Sequence, residues 1–208
     1  MTDAALPLFG DEAHAGKAEV DETFATAHRV HLDEHSWVEH APGWLTDAQR
    51  LFEHLIEVGG WEQRHRWMYG EKVTEPRLTA EYPVLTRAPQ TLQQAARTLT
   101  SHYGVTYDRL WLNLYRDHRD STGWHGDGAS TRRRECVVPV LSLGGARRFL
   151  VRPTAGGPSM TFRPLAGDLI VMGGRCQMDW RHGVPKQTSP ARSRISVNFA
   201  ASSQMLPD

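Results

Sequence analysis

The chain has 208 residues, carries no net charge at neutral pH, and is 39% hydrophobic and 23% charged. These values are ordinary for one globular domain. Charge balance excludes a global positive field, so any nucleic-acid binding must come from local patches. No apolar run reaches the length of a membrane helix, and the N-terminus carries acids rather than the basic start of a secretion signal. We therefore expect a cytoplasmic monomer that does not engage membranes.

The first part of the chain predicts an irregular segment followed by two helices. Residues 1–35 are acidic and show little periodicity, whereas residues 36–208 are expected to form a single domain. Residues 36–44 resemble a short strand that ends at a Pro-Gly pair. Apolar stripes at helical spacing predict one helix that begins at Thr46 and ends at Gly59, and a second over residues 89–103.

Residues 61–83 lie between these helices and combine cations with aromatic side chains. Arg64, Arg66 and Arg77 can contact phosphates, while Trp67 and Tyr69 can stack on an unpaired base. Two other interpretations stay open: the arginines form a solvated rim balanced by nearby acids, or the aromatic residues belong to the core. The runs 132–134 and 147–148 are further candidate phosphate contacts.

From Asp108 onward the sequence changes to short strand-like runs separated by Gly-, Pro- and Arg-rich connections. They occupy residues 110–116, 136–143, 147–152, 159–164, 168–173 and 194–200. Short strands joined by regular turns favour a β-sandwich or jelly roll over alternating βαβ units. We predict a mainly β fold with flanking helices, in which the two helices cover one sheet.

The pattern His-x-Asp occurs at His31/Asp33, His118/Asp120 and His125/Asp127. On an extended segment, residues two apart point the same way and can share a metal. The first pair lies in a polar stretch and the second in a charged turn, so context favours the pair at 125 and 127. One histidine, His182, follows Asp127 in the sequence. Two histidines and one carboxylate form a facial triad with open positions, which is typical of non-haem Fe(II) oxygenases.

Alternation along two strands predicts a polar pocket beside this triad. Asn113 and Tyr115 share one face of the strand LWLNLY, and Arg194, Ser196 and Asn198 share one face of RISVNFA. An arginine fork with amides and a phenol suits a small dicarboxylate. The alternative is that these residues lie on a solvent-facing side of the sheet.

Six segments in order resemble the AlkB family of Fe(II)/2-oxoglutarate dioxygenases: NLYRD, GWHGD, SLGGARRFLVRP, GDLIVMGG, WRHGVPK and RISVNF. PRLTAEYP also resembles a strand of the family's nucleotide-recognition lid. The resemblance covers about residues 36–200. It implies a double-stranded β-helix (jelly roll) with an N-terminal helical and lid extension, the lid at about 61–83 and the jelly-roll core at about 108–200.

The resemblance also implies the chemistry. His125, Asp127 and His182 would hold Fe(II), and 2-oxoglutarate would be held by Asn113, Tyr115 and Arg194, with lesser contacts from Ser196 or Asn198. With O₂, the family hydroxylates an N-linked alkyl carbon of a nucleobase in DNA or RNA, releasing an aldehyde, succinate and CO₂. His125 would also stack on the flipped base.

Two departures from the family pattern keep other functions open. The family's last strand usually ends in a second arginine, where this chain has Ala200; Arg192 or Arg148 are candidates to replace it. Repair members commonly carry acids after the ligand aspartate, where this chain has Gly128, Ala129 and Ser130. The alternatives are the same chemistry on a small molecule or protein side chain, and a non-catalytic nucleic-acid-binding jelly roll.

Overall fold

The computed structural model describes residues 18–68, 70–127 and 135–204. The strands are β1 (His28–His31), β2 (Ser36–Ala41), β3 (Glu62–Met68), β4 (Glu71–Tyr82), β5 (Arg109–Tyr115), β6 (Thr122–His125), β7 (Cys136–Gly144), β8 (Phe149–Pro153), β9 (Met160–Phe162), β10 (Leu169–Gly174), β11 (Trp180–Val184) and β12 (Arg194–Ala200). The helices are α1 (Ala48–Val58), α2 (Gln90–Tyr103) and α3 (Cys176–Asp179), with short 3₁₀ turns at Leu85–Arg87 and Ser202–Gln204. None of the described helices is long and apolar enough to cross a membrane.

The strands form two antiparallel sheets. The larger sheet has eight strands in the order β1-β2-β10-β7-β12-β5-β4-β3, and the smaller has four in the order β6-β11-β8-β9. Buried residues from both sheets pack in one cluster, in which Val38, Ile170 and Met172 of the larger sheet meet Val151 and Val184 of the smaller. This is the predicted mainly β jelly roll.

The two long helices cover the outer face of the larger sheet. Leu55 of α1 and Leu92 and Leu99 of α2 are fully buried in a second core together with Leu112 and Val197 of the sheet. Burying each such side chain stabilises the fold by about 1.5–3 kcal/mol. The helices thus cover the apolar face of the central strands, and the opposite face points toward the smaller sheet.

Alternation along β5 and β12 separates these two faces. Leu112 and Val197 point to the helices, whereas Asn113 and Ser196, which are cross-strand partners, point between the sheets. Because side chains alternate with a period of two, a strand buried on one face presents every second residue to the other. The polar face predicted from the sequence therefore lines the interior of the jelly roll.

The N-terminal segment differs from the prediction of an irregular region over residues 1–35. Residues 1–17 lie outside the described residues, but β1 pairs with β2, and Val20 and Phe24 are buried against the helical core. The four residues of β1 are mostly exposed, so they carry no apolar alternation that would reveal a strand. The first helix also begins later than predicted, because Thr46 bonds to Glu19 instead and Asp47 is left-handed (φ 48°).

The predicted lid forms a hairpin of β3 and β4 at one edge of the larger sheet. β4 pairs with β5 only over Leu78–Tyr82. The outer half of the hairpin, Arg66–Met68 against Glu71–Val73, pairs with no strand other than its own partner in the described ranges. This half therefore extends beyond the sheet, and its Arg66 lines a cavity between the two sheets.

Candidate active site

The two candidate histidines meet on neighbouring strands of the smaller sheet. His125 ends β6 and is the cross-strand partner of His182 in β11, with ring centroids 4.2 Å apart. Asp127 follows β6, and its Oδ1 lies 3.5 Å from His182 Nε2 and 3.8 Å from His125 Nε2. One ligand atom from each residue lies within 4.8 Å of the others. The structure thus brings the predicted triad together.

The surroundings of the triad hold its members in the form and orientation that metal binding needs. His125 Nδ1 is 2.9 Å from the carbonyl oxygen of Gly123, so its Nε2 is the nitrogen that faces Asp127. Burial, followed by repulsion from His182, lowers the pKa of His125 to about 4. The ring is therefore neutral at neutral pH, the state in which a histidine binds metal. The buried Gln177 side chain accepts a hydrogen bond from the Asp127 backbone N–H at 2.9 Å.

One oxygen of the triad lacks a hydrogen-bond partner among the residues that the structure describes. Asp127 Oδ2 is buried and accepts no hydrogen bond from any described residue. A buried carboxylate oxygen without a partner is costly unless a ligand or metal satisfies it. The donor set of two imidazoles and one carboxylate fits an Fe(II) ion with open coordination positions. Within the described residues this is the one cluster of three or more His, Cys, Asp or Glu that can hold a metal.

The competing His-x-Asp pairs serve other roles. Asp33 accepts hydrogen bonds from the indole N–H of Trp180 at 2.7 Å and the backbone N–H of His35 at 2.8 Å. Asp120 is buried, and both of its oxygens accept hydrogen bonds from the Arg116 guanidinium. Both carboxylates stabilise loops, as their polar sequence context indicated.

A cavity of about 560 Å³ extends from the triad between the sheets. All five predicted 2-oxoglutarate residues line it: Asn113, Tyr115, Arg194, Ser196 and Asn198. Tyr115 and Arg194 are buried at its inner end, where the Tyr115 hydroxyl is 2.8 Å from Thr122 Oγ1. The amide of Asn198 donates to backbone oxygens of Trp111 and Ser196, so its contribution is to shape the wall.

Arg194 is the strongest sign of an anionic ligand. Its side chain is 1% exposed, and one nitrogen, Nη2, donates to Ser142 Oγ at 2.8 Å. Nε and Nη1 are buried without a hydrogen-bond partner among the described residues. Burial lowers the pKa of Arg194, but a guanidinium stays charged in proteins. A carboxylate bound at this guanidinium would accept hydrogen bonds from N–H groups that no described residue satisfies.

The position of the family's second arginine, Ala200, lies at the outer end of the same face. Neither Arg192 nor Arg148 lines the cavity, so the structure gives no support to either as its replacement. Arg109 does line it and is the direct cross-strand partner of Ala200. Its buried Nε has no hydrogen-bond partner among the described residues and lies 3.6 Å from Asp108 Oδ1, while Nη2 donates to Ser202 Oγ at 2.7 Å. Sequence reasoning missed Arg109, although extending the alternation of β5 by one step would have found it.

The predicted substrate residues divide into three groups. Trp67 is 74% exposed on the outer hairpin, which makes the interpretation as a core residue wrong. Arg64 lies 4.2 Å above the Trp111 ring and pairs with Glu81, and Arg66 pairs with Glu75 at 2.9 Å. Tyr69 lies outside the described residues.

The remaining predicted contacts are Arg77, Arg147 and the run 132–134. Arg77 is largely buried: its Nε donates to Asn113 Oδ1 at 2.8 Å and its Nη2 pairs with Glu75 at 3.0 Å. Arg147, a candidate phosphate contact, is 2% exposed and donates to the carbonyl oxygens of Asp117, Asp120 and Pro185, so that expectation is wrong. The candidate run 132–134 and the segment after Asp127 lie outside the described residues.

Comparison with known proteins agrees with this site. Residues 69–199 match the sequence profile of the 2OG-Fe(II) oxygenase superfamily. The chain is 30% identical over 181 residues to human "Alpha-ketoglutarate-dependent dioxygenase alkB homolog 3", covering 76% of this chain and 63% of that protein. It is 26% identical over 198 residues to human "DNA oxidative demethylase ALKBH2", covering 88% of this chain and 69% of the relative.

A solved structure shows the same fold. OsALKBH1 superposes with a TM-score of 0.60 at 13% sequence identity, covering 84% of this chain and all of that one (100%). The chain spans somewhat less than two thirds of the length of the alkB homolog 3 proteins it matches. The sequence match, the jelly roll and the His-Asp-His cluster agree, and the chain belongs to the 2OG-Fe(II) oxygenase superfamily, with AlkB-like proteins among its relatives.

Proposed function

We propose that this protein is an Fe(II)/2-oxoglutarate-dependent dioxygenase that oxidatively dealkylates N-alkylated nucleobases in DNA or RNA. The observation that carries the proposal is that one cavity contains two buried charged groups with unsatisfied polar atoms. Asp127 Oδ2, in the histidine cluster, would be satisfied by a metal ion. The nitrogens of Arg194 without partners among the described residues would be satisfied by a carboxylate. Iron and 2-oxoglutarate are the pair that satisfies both.

In this proposal each residue has a defined part. His125, Asp127 and His182 hold the iron, and Arg194 with Tyr115 anchors the far carboxylate of 2-oxoglutarate. When bound with O₂, iron and 2-oxoglutarate supply the oxidation: one oxygen atom enters succinate as CO₂ leaves, and the other enters the N-linked alkyl carbon. That carbon then departs as an aldehyde, and the base nitrogen regains a proton.

The protein's own contribution is orientation. The jelly roll fixes the triad on two paired strands, so the cavity directs whatever enters it toward one face of the metal site. Rigid positioning of the reacting carbon is the part of catalysis that a scaffold of strands supplies best. His125 is half-buried at the mouth of the site, where its ring can contact a flipped base.

The nucleic-acid part of the proposal is supported by the relatives and by the hairpin. The human relative ALKBH2 is named a DNA oxidative demethylase. In this chain the exposed Trp67 and the half-exposed side chains of Arg64 and Arg66 lie on the hairpin, and Arg66 also lines the cavity. Stacking on an aromatic side chain together with phosphate contacts is the usual way to hold an unpaired strand.

A second candidate function is hydroxylation of a small molecule or a protein side chain. It is favoured by the ion pairs of the hairpin, because Arg64, Arg66 and Arg77 each pair with a glutamate. Such arginines present less free positive charge to phosphates than their number suggests.

The proposal is tested by measuring succinate formed from 2-oxoglutarate with Fe(II), ascorbate and either a methylated oligonucleotide or the same sequence unmethylated. We expect the methylated strand to raise succinate production well above that seen without substrate, and the unmethylated strand to leave it unchanged. Equal rates with both oligonucleotides and with none would favour the small-molecule or protein hydroxylase. Absence of succinate under every condition would contradict the dioxygenase itself.

A further inference from the structure

The amide of Asn113 is held by three neighbours at the wall of the cavity. Its Oδ1 accepts hydrogen bonds from Arg77 Nε at 2.8 Å and from the indole nitrogen of Trp111 at 3.1 Å. Its Nδ2 donates to Ser196 Oγ at 3.3 Å. These contacts come from three adjacent strands, β4, β5 and β12.

The chemistry of the two partners fixes which end of the amide points where. A guanidinium and an indole N–H are donors only, so the group that faces them must be the carbonyl oxygen. If the amide turned over, its NH₂ would face two donors and lose both bonds. The NH₂ group is therefore turned toward Ser196 and the cavity, and its second hydrogen remains available for an acceptor.

The other contacts of Arg77 hold its guanidinium in place beside the Asn113 amide. Its side chain is 11% exposed, and Nη2 pairs with Glu75, which also pairs with Arg66. A side chain so enclosed is poorly placed to bind a phosphate group on the hairpin surface. Its guanidinium instead connects the hairpin strand β4 to an amide in the middle of β5.

We infer that Arg77 is a positioning residue for the cosubstrate: it turns the Asn113 amide so that an N–H donor faces the carboxylate of 2-oxoglutarate. Trp111 assists from the same strand as Asn113. The inference rests on the proposed function, because 2-oxoglutarate is the acceptor it names. Arg77 lines the same cavity, but its Nε is bonded to Asn113 and its Nη2 pairs with Glu75. We therefore expect its effect on binding to pass through Asn113.

The test is a double-mutant cycle on 2-oxoglutarate affinity, measured by calorimetry with Mn(II) in place of iron and without oxygen, so that no turnover is needed. Arg77→Met removes the donors and keeps the apolar stem. We expect it to weaken 2-oxoglutarate binding about tenfold, the scale of one well-placed hydrogen bond. In an Asn113→Ala background the same change should have an effect of less than about twofold, because the partner through which it acts is gone.

Controls separate this inference from the proposed function. Arg97→Ala, which removes an exposed arginine of α2, should leave the affinity unchanged. Wild-type 2-oxoglutarate affinity in Arg77→Met would overturn the inference and leave the proposed function intact. Equal losses of affinity in the wild-type and Asn113→Ala backgrounds would do the same, because they would mean that Arg77 contacts 2-oxoglutarate directly. A wild-type protein that binds Mn(II) but no 2-oxoglutarate would overturn both. If Arg77→Met fails to fold, Trp111→Phe removes the other donor and should weaken binding about threefold; unchanged affinity there would overturn the inference.

Discussion

At the scale of single residues, the site is defined by buried polar atoms that have no hydrogen-bond partner in the described part of the chain. Most buried polar groups in a folded protein are hydrogen-bonded, and charged groups especially so. Asp127 Oδ2 and two nitrogens of Arg194 depart from this rule within one cavity. Their opposite charges select opposite ligands, a cation and an anion, and this pairing distinguishes the site from a general polar pocket.

The triad predicts a loss of metal binding on substitution. Asp127→Ala and His182→Ala should each weaken Mn(II) binding by more than the roughly 10- to 100-fold loss that changes in outer-shell partners cause. Metal titration followed by calorimetry measures this directly. His118→Ala, from a His-x-Asp pair outside the cluster, is the matched control and should bind metal normally. Normal metal binding in either triad variant would refute the assignment.

A substitution at Arg194 should weaken cosubstrate binding without weakening metal binding. In Arg194→Lys the charge remains, but one ammonium cannot make the forked contact that two guanidinium nitrogens make. We expect 2-oxoglutarate affinity to fall by about tenfold or more with Mn(II) affinity unchanged. If the variant retains full 2-oxoglutarate affinity, the anchor is another of the arginines that line the cavity, such as Arg109.

At the scale of elements, the β3–β4 hairpin carries the predicted substrate surface. Trp67→Ala should weaken binding of a methylated single-stranded oligonucleotide by about 1–3 kcal/mol if the ring stacks on a base. Fluorescence titration at several salt concentrations measures it, and the affinity should fall steeply with salt because arginine–phosphate contacts release counterions. Leu165→Ala removes an exposed apolar side chain elsewhere and should have no effect. Equal affinities for wild type and Trp67→Ala would exclude stacking by this residue.

A second element-scale prediction concerns Asp168, which ties the start of β10 to the loop after β2. Its carboxylate accepts hydrogen bonds from Gly43 N–H at 2.8 Å and Leu165 N–H at 2.9 Å, and lies 2.8 Å from His40 Nε2. Burial acts to raise the pKa of Asp168, but these hydrogen bonds outweigh it and hold the pKa below the ordinary value of 3.8. The lowered pKa means that the ionised form stabilises the native state above the unfolded pKa, and that this contribution is lost as pH falls through the native pKa.

Asp168→Asn should therefore lower the free energy of unfolding by about 1–3 kcal/mol at neutral pH, through the weakened hydrogen bonds. The difference from wild type should shrink below pH 3.8, the ordinary value of the carboxyl group. Urea unfolding at neutral and acid pH measures both quantities. If the difference in unfolding free energy between wild type and Asp168→Asn stays constant with pH, the charge of Asp168 does not stabilise the contact between β10 and the loop after β2.

At the scale of the whole molecule, strand periodicity in the sequence predicted which side chains share a face of a strand. Alternation in LWLNLY and RISVNFA placed Asn113 and Arg194 on one polar face, and the structure brings that face together with the triad in one cavity. The strand β1 was missed, because a short exposed edge strand has no apolar pattern. Arg77 was predicted to contact phosphate, because a run of mixed cations and aromatics does not reveal which side chain turns inward. Pairing of β4 with β5 decides that, and such pairing is a long-range property.

The most direct test of the account is mass spectrometry of an N-methylated oligonucleotide after incubation with the protein, Fe(II), ascorbate, O₂ and 2-oxoglutarate. We expect the methyl group to be replaced by hydrogen, with one formaldehyde released for each methyl group removed, and the Asp127→Ala variant to leave the oligonucleotide unchanged. An unchanged methylated oligonucleotide, with wild-type protein that binds both metal and 2-oxoglutarate, would contradict nucleobase dealkylation as its function.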